Sequence, residues 1–168
     1  MDRTKLYFIG GILFTAILGT LSHFFYDWTG QGALIGLVSP VNESTWEHMK
    51  LVFFPLLFWT LLASPGLSGE YPAISGALLL GNVLGTLSVP VFFYTYTGIL
   101  GKDVFFLDIA VFLAAVLTAF LFAWKKKDSH GILQYQALIG FLTGIFVVLF
   151  FVFTFYPPKI DLFSDPLS

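Results

Sequence analysis

Nine consecutive positions, Asn42 to Lys50, carry an amide, two carboxylates, an imidazole and an amine in a chain that is 57% hydrophobic and 11% charged. Polar groups packed beside so apolar a stretch must be solvated, paired or used. Glu43 and Glu47 are candidates for a general base, and Lys50 for a cationic catalytic partner. Asn42 and Trp46, with the later Asp108, are candidates to hold a substrate. Upstream, His23 and Asp27 stand four residues apart, which puts them on one face of a helix. A carboxylate beside an imidazole fixes its tautomer and raises its basicity, which suits a metal ligand. His23, Asp27 and His48, with Asp108 as the alternative carboxylate, are therefore the expected ligands of a divalent metal such as zinc. No H-E-x-x-H pair is present. A shared ion brings the imidazoles within about 10 Å of each other, because zinc–nitrogen bonds are only about 2.0–2.1 Å.

The same residues have structural readings. Ser44-Thr45-Trp46-Glu47 is a capping box in sequence, just before an apolar run. If instead Ser39 caps and Pro40 opens the helix, Glu43, Glu47 and Lys50 share a face. Lys50 could also reach outward to the interface or lie on Trp46. Asp108 lies between Phe105-Phe106-Leu107 and Ile109-Ala110-Val111, so it needs a partner; Lys50, His23 and His48 are the available ones. Asn82 and Thr86, four apart, suit interhelical hydrogen bonds.

The elements that must position these groups are long apolar runs. A stretch of about 20 apolar residues crosses a hydrocarbon core of about 30 Å. Five such runs fit: Leu6–Tyr26, Ser44–Ala63, Pro72–Tyr94, Val104–Trp124 and Ile132–Phe155. In lipid the backbone must satisfy itself, so each is expected to be helical. The expected fold is all-α, a polytopic membrane helix bundle of five transmembrane helices in one domain over 1–168. Gly30–Val38 is apolar but too short to span, and is expected to form a re-entrant or interfacial segment. The first run resembles a signal peptide, with Arg3 and Lys5 ahead of it, but no small-residue cleavage site follows; it is expected to remain as a span.

Arg3 and Lys5, and Lys125 to Lys127, are separated by four crossings, so both basic groups share a side. By the positive-inside rule that side is the cytoplasm, which puts the C-terminus outside. Most of the acids, with His23 and His48, then fall on the outer face. A net charge of −2 argues against nucleic acid as a partner, and the absence of cysteine excludes thiolate sites. The bilayer is the expected partner. Gly-x-x-x-Gly occurs at Gly32/Gly36, Gly81/Gly85 and Gly140/Gly144, for packing within the bundle or for a homodimer seam. The tail after Pro157-Pro158 is amphipathic and suits either a lid over the outer face or a strip on the lipid surface.

The run Pro40-Val41-Asn42-Glu43-Ser44-Thr45-Trp46-Glu47-His48-Met49-Lys50-Leu51, with His23, Tyr26-Asp27-Trp28, Tyr96-Thr97-Gly98-Ile99-Leu100-Gly101 and Pro157-Pro158, resembles an uncharacterised bacterial integral-membrane family with a P-V-N-E-S-x-W-E-H-x-K signature. The resemblance implies a polytopic protein of the bacterial plasma membrane. It implies no activity and carries over no catalytic residue.

Three functions remain open on the residues. One is a metal-dependent hydrolase of a lipid-phase substrate, with Glu43 or Glu47 as base. Another is a small cation- or proton-coupled transporter built on Asp108, Lys50 and the helix breaks at Pro55 and Pro90. The third is a non-catalytic membrane assembly component.

Overall fold

The computed structural model describes residues 2–165. Its helices are α1 (Arg3–Trp28), α2 (Ala33–Gly36), α3 (Thr45–Ala63), α4 (Ile74–Leu100), α5 (Phe105–Lys126), α6 (His130–Gln134) and α7 (Gln136–Phe155), with single 3₁₀ turns at Ser64–Gly66 and Asp161–Phe163. No strand occurs among the described residues. Five helices (α1, α3, α4, α5 and α7) are long and apolar enough to cross a membrane, compatible with a multi-pass membrane protein.

The two largest departures from the sequence boundaries each have a local reason. Helix α4 runs six residues past Tyr94 and stops where Gly101 turns left-handed, at φ 69°, its N–H returning to Thr97 O. The tyrosines and threonines before that cap look like a helix end in sequence, but they continue the helix. The fifth run is broken at Tyr135, which ends the short α6 and begins α7. Ser129 caps α6, its hydroxyl accepting from Ile132 N–H. The apolar segment after α1 becomes the short turn α2, entered through left-handed Gly30 and Gln31.

Helix α4 is the central post. It packs most extensively along α5, then along α3 and α7, while α1 lies against α3 and α5. The α4–α5 contact is backbone-close. A Cβ at Gly81 would stand 2.5 Å from the Ala119 carbonyl oxygen, and one at Gly85 would stand 2.8 Å from that of Ala115. Gly81/Gly85 is thus used inside the bundle, whereas a Cβ at Gly140 or Gly144 would meet nothing within 4 Å. Asn82, fully buried, donates from its amide to Phe53 O at 3.0 Å and so ties α4 to α3. Aromatic rings fill the seam between α3 and α7: Phe53 and Phe54 both lie against Phe150. Pro55 has no N–H for the Leu51 carbonyl. Gly19 of α1 presses on that same carbonyl, with room for no side chain.

These packings bring chain-distant segments to two ends of the bundle. At one end Arg3 donates to Gly66 O at 3.0 Å, and the Lys127 ammonium lies over the rings of Trp124 and Tyr71 at 4.7 and 4.8 Å. At the other end the C-terminal turns of α1 and α7 meet the start of α3, and the α4–α5 connection is tied to itself by Tyr96 and Asp108.

Candidate metal centre

The start of α3 sorts its polar residues onto two faces. Ser44 is the N-cap, its hydroxyl accepting from Glu47 N–H at 3.4 Å. Only half of the capping box forms. The Glu47 carboxylate does not return to the Ser44 amide, which is taken by the Asn42 side-chain carbonyl at 3.0 Å. Glu47 accepts instead from Val41 N–H at 2.9 Å and from Lys50 Nζ at 2.6 Å. The physical reason is Lys50 itself. One turn along, its buried ammonium needs a counter-charge, whereas the Ser44 amide is already satisfied by Asn42.

Lys50 has no exposed surface and Glu47 only 2%. The ammonium also donates to Gly36 O at 2.8 Å and to Thr154 Oγ at 2.6 Å, with Ser39 O at 3.4 Å. One cation therefore fastens α2, the chain entering α3, and α7. It neither reaches outward nor rests on Trp46. Trp46 packs among Phe150, Phe153 and Phe163, with ring centroids 4.8 Å from Phe150 and from Phe163. The tail turn Asp161–Phe163 thus folds back onto α3 at Trp46.

His48 occupies the other face, Glu43 lies beside it just ahead of the cap, and His23 of α1 comes to meet them. His48 Nε2 lies 3.3 Å from one Glu43 oxygen and His23 Nε2 lies 3.9 Å from the other. The two imidazoles are 5.3 Å apart between ring centroids, inside the limit that a shared ion sets. One ligand atom from each of His23, Glu43 and His48 lies within 4.8 Å of the others. Ligands around a tetrahedral zinc sit roughly 3.3 Å apart, so side-chain rotations of about an ångström would close the set. The side chains are 30%, 41% and 32% exposed in that order, so the cluster opens to its surroundings.

Hydrogen bonding sets the His48 tautomer. Its Nδ1 lies 3.0 Å from the Ser44 carbonyl oxygen, which can only accept, so Nδ1 carries the proton. With a second proton on Nε2 the ring is a cation bridging two acceptors. Without it, an Nε2 lone pair faces a carboxylate, and a metal ion between them resolves the repulsion. A backbone carbonyl on the far nitrogen is the usual outer support of a metal-bound histidine. The hydrogen bond from His48 holds the Glu43 carboxyl below its ordinary range, against a smaller opposing effect of burial and helped by the charges of both histidines. A lowered carboxyl contributes stability above its unfolded pKa and loses it as pH falls through the folded value. Glu43 is thus anionic at neutral pH.

The remaining candidates lie around this triangle. Asp27 is not among its three ligand positions, though it is near enough to His23 for its charge to be felt; Glu43 takes the third position. Asp108 pairs with none of Lys50, His23 and His48. It accepts a hydrogen bond from the Tyr96 hydroxyl of α4, which in turn accepts from Val104 N–H at 3.3 Å. Tyr96 and Asp108 pin the α4–α5 turn. Sequence reasoning missed Tyr96, because twelve residues spanning a helix end and a turn leave no periodic signal. Asp108 remains within electrostatic reach of His48.

No curated protein and no solved structure matches this chain significantly. A family model matches residues 1–168 from end to end. With that full-length match, the chain belongs to a family of unknown function (DUF6512).

Proposed function

We propose that this protein binds a divalent transition metal, zinc above all, at His23, Glu43 and His48, and uses it as a membrane-embedded hydrolase of an amphiphilic ester or amide. The observation that carries the reading is the convergence of two imidazoles and one carboxylate, with Nε2 of His48 made the ligand atom by the Ser44 carbonyl. Two histidines and a glutamate form a ligand set that catalytic zinc sites use, with a fourth position left to water. A metal so bound lowers the pKa of its water to about 7 and supplies a hydroxide nucleophile. Asp27, exposed at the end of α1, is the carboxylate left to pass protons. Glu47 and Lys50, buried and bonded to each other, are assigned to holding the site's scaffold. Asn42 and Trp46 are assigned the same role through their turn and ring contacts.

The test is purified protein equilibrated with zinc, assayed for bound metal and for hydrolysis of short- and long-chain ester amphiphiles. About one zinc per chain with metal-dependent turnover is the expected result. Zinc without turnover would keep the metal site and remove the hydrolase. No zinc in the wild type would remove both.

We further propose that the centre faces the extracytoplasmic side of a plasma membrane. Arg3, Lys5 and Lys125 to Lys127 gather at the opposite end of the bundle, and basic residues favour the cytoplasm. The chain has no cysteine, so single replacements report cleanly. Asn42→Cys is expected to react with an impermeant maleimide in intact cells, and Lys125→Cys only after lysis. The reverse pattern would invert the topology.

A further inference from the structure

We infer that the basic end of the bundle carries a binding site for an acidic glycerophospholipid, in the groove between α4, α5, α6 and α7. This site is separate from the metal centre and does not depend on it. Leu80 of α4, Phe122 of α5, Ile132 of α6 and Ile139 of α7 line its apolar part. Lys126, Ser129 and Tyr135 line its polar part.

The depth of these residues fits a lipid. Leu80 lies six residues into α4, or about 9 Å along the axis, and Ile139 lies three residues into α7, or about 4.5 Å. The apolar wall therefore begins at the water boundary and runs inward, where the upper part of an acyl chain would lie. The polar residues sit at the boundary itself, at headgroup level.

The charge fits an anion. Lys127 is committed to Asp128 at 3.0 Å and to two aromatic rings, but Lys126 has no ion-pair partner among the described residues. The Ser129 hydroxyl oxygen already accepts from Ile132 N–H, so its own proton is left to donate outward. Tyr135 is 56% exposed, and its phenol offers a second O–H donor. One ammonium and two hydroxyls over an apolar trough match a phosphodiester on an acyl chain. Basic pockets between transmembrane helices bind anionic headgroups in this manner. A free phosphate would satisfy the polar part only and leave the trough bare.

Native mass spectrometry of the full chain, delipidated and titrated with dioleoyl phosphatidylglycerol, tests the site. One phosphatidylglycerol should be retained per chain, about tenfold more tightly than phosphatidylcholine. Lys126→Glu should weaken it by about tenfold, while Lys125→Glu, the same charge change outside the groove, should leave it within about twofold. Tyr135→Phe, which removes only a hydroxyl from an exposed ring, should weaken it by about threefold and covers the case of a charge reversal that misfolds. Inorganic phosphate at millimolar concentration should not displace the lipid. Equal retention of the two lipids, equal loss with both lysine variants, no effect of Tyr135→Phe, or displacement by phosphate would each overturn the site.

Discussion

Lys50→Met is expected to lower the stability of the bundle by about 3–5 kcal/mol, the usual cost of stranding one member of a buried ion pair. The substitution keeps roughly the length of the side chain and removes its charge. Glu47 would then be left 2% exposed, with Val41 N–H as its main donor. The Gly36 carbonyl and the Thr154 hydroxyl would lose a donor together, and α2 and α7 would lose their shared tie to α3. Glu47→Gln should be damaging too, since it leaves the ammonium without a counter-charge. The double variant should cost less than the sum of the singles, because the two groups suffer mainly from each other's absence. Equilibrium unfolding in mild detergent measures all three. A Lys50→Met protein within about 1 kcal/mol of wild type would show that the pair is not a structural tie.

His48→Ala should do the opposite: leave the fold and remove the metal. Its side chain is about a third exposed and ends in the open triangle, so truncation strands no deeply buried charge. Zinc should fall from about one per chain to below about a tenth at micromolar metal, with the melting temperature of the metal-free protein nearly unchanged. His23→Ala should behave alike. At the proposed site, zinc would take the place of any proton on His48 Nε2. Binding therefore releases that proton, and affinity rises with pH by up to about tenfold per unit while the ring is still protonated. As pH falls the metal should leave, and protonation of Glu43 adds to the loss only below its lowered pKa. Calorimetry in buffers of different ionisation enthalpy measures the released protons. Stoichiometric zinc surviving in the His23→Ala, His48→Ala double variant would place the metal elsewhere.

The contrast between these two variants follows from the geometry of one turn of helix. Within Asn42 to Lys50, two sets of residues were given to different tasks by the direction in which α3 leaves its cap. Glu47 and Lys50 turn inward with Trp46, while Glu43 and His48 turn toward α1. In sequence all of these look like one polar cluster. The competing capping reading explained Ser44, but the partner of Glu47 was decided by a lysine that the bundle had buried.

Composition and apolar run length alone determined the helical class, the five long helices and the approximate position of each. These follow from local physics: an apolar run must satisfy its own backbone wherever it is buried. The importance of Asn42 to Lys50 was also legible, because such a density of polar groups has to be compensated somewhere. Three things came only from the tertiary structure. Tyr96 rather than a cation holds Asp108, Glu43 rather than Asp27 completes the triangle with the two histidines, and Thr154 and Gly36 saturate Lys50. Each joins positions through space across a turn or a helix pair. Neither helical period nor spacing along the chain encodes such a distance; it is set by how closely α1 packs on α3 at Gly19 and α4 on α5 at Gly81 and Gly85.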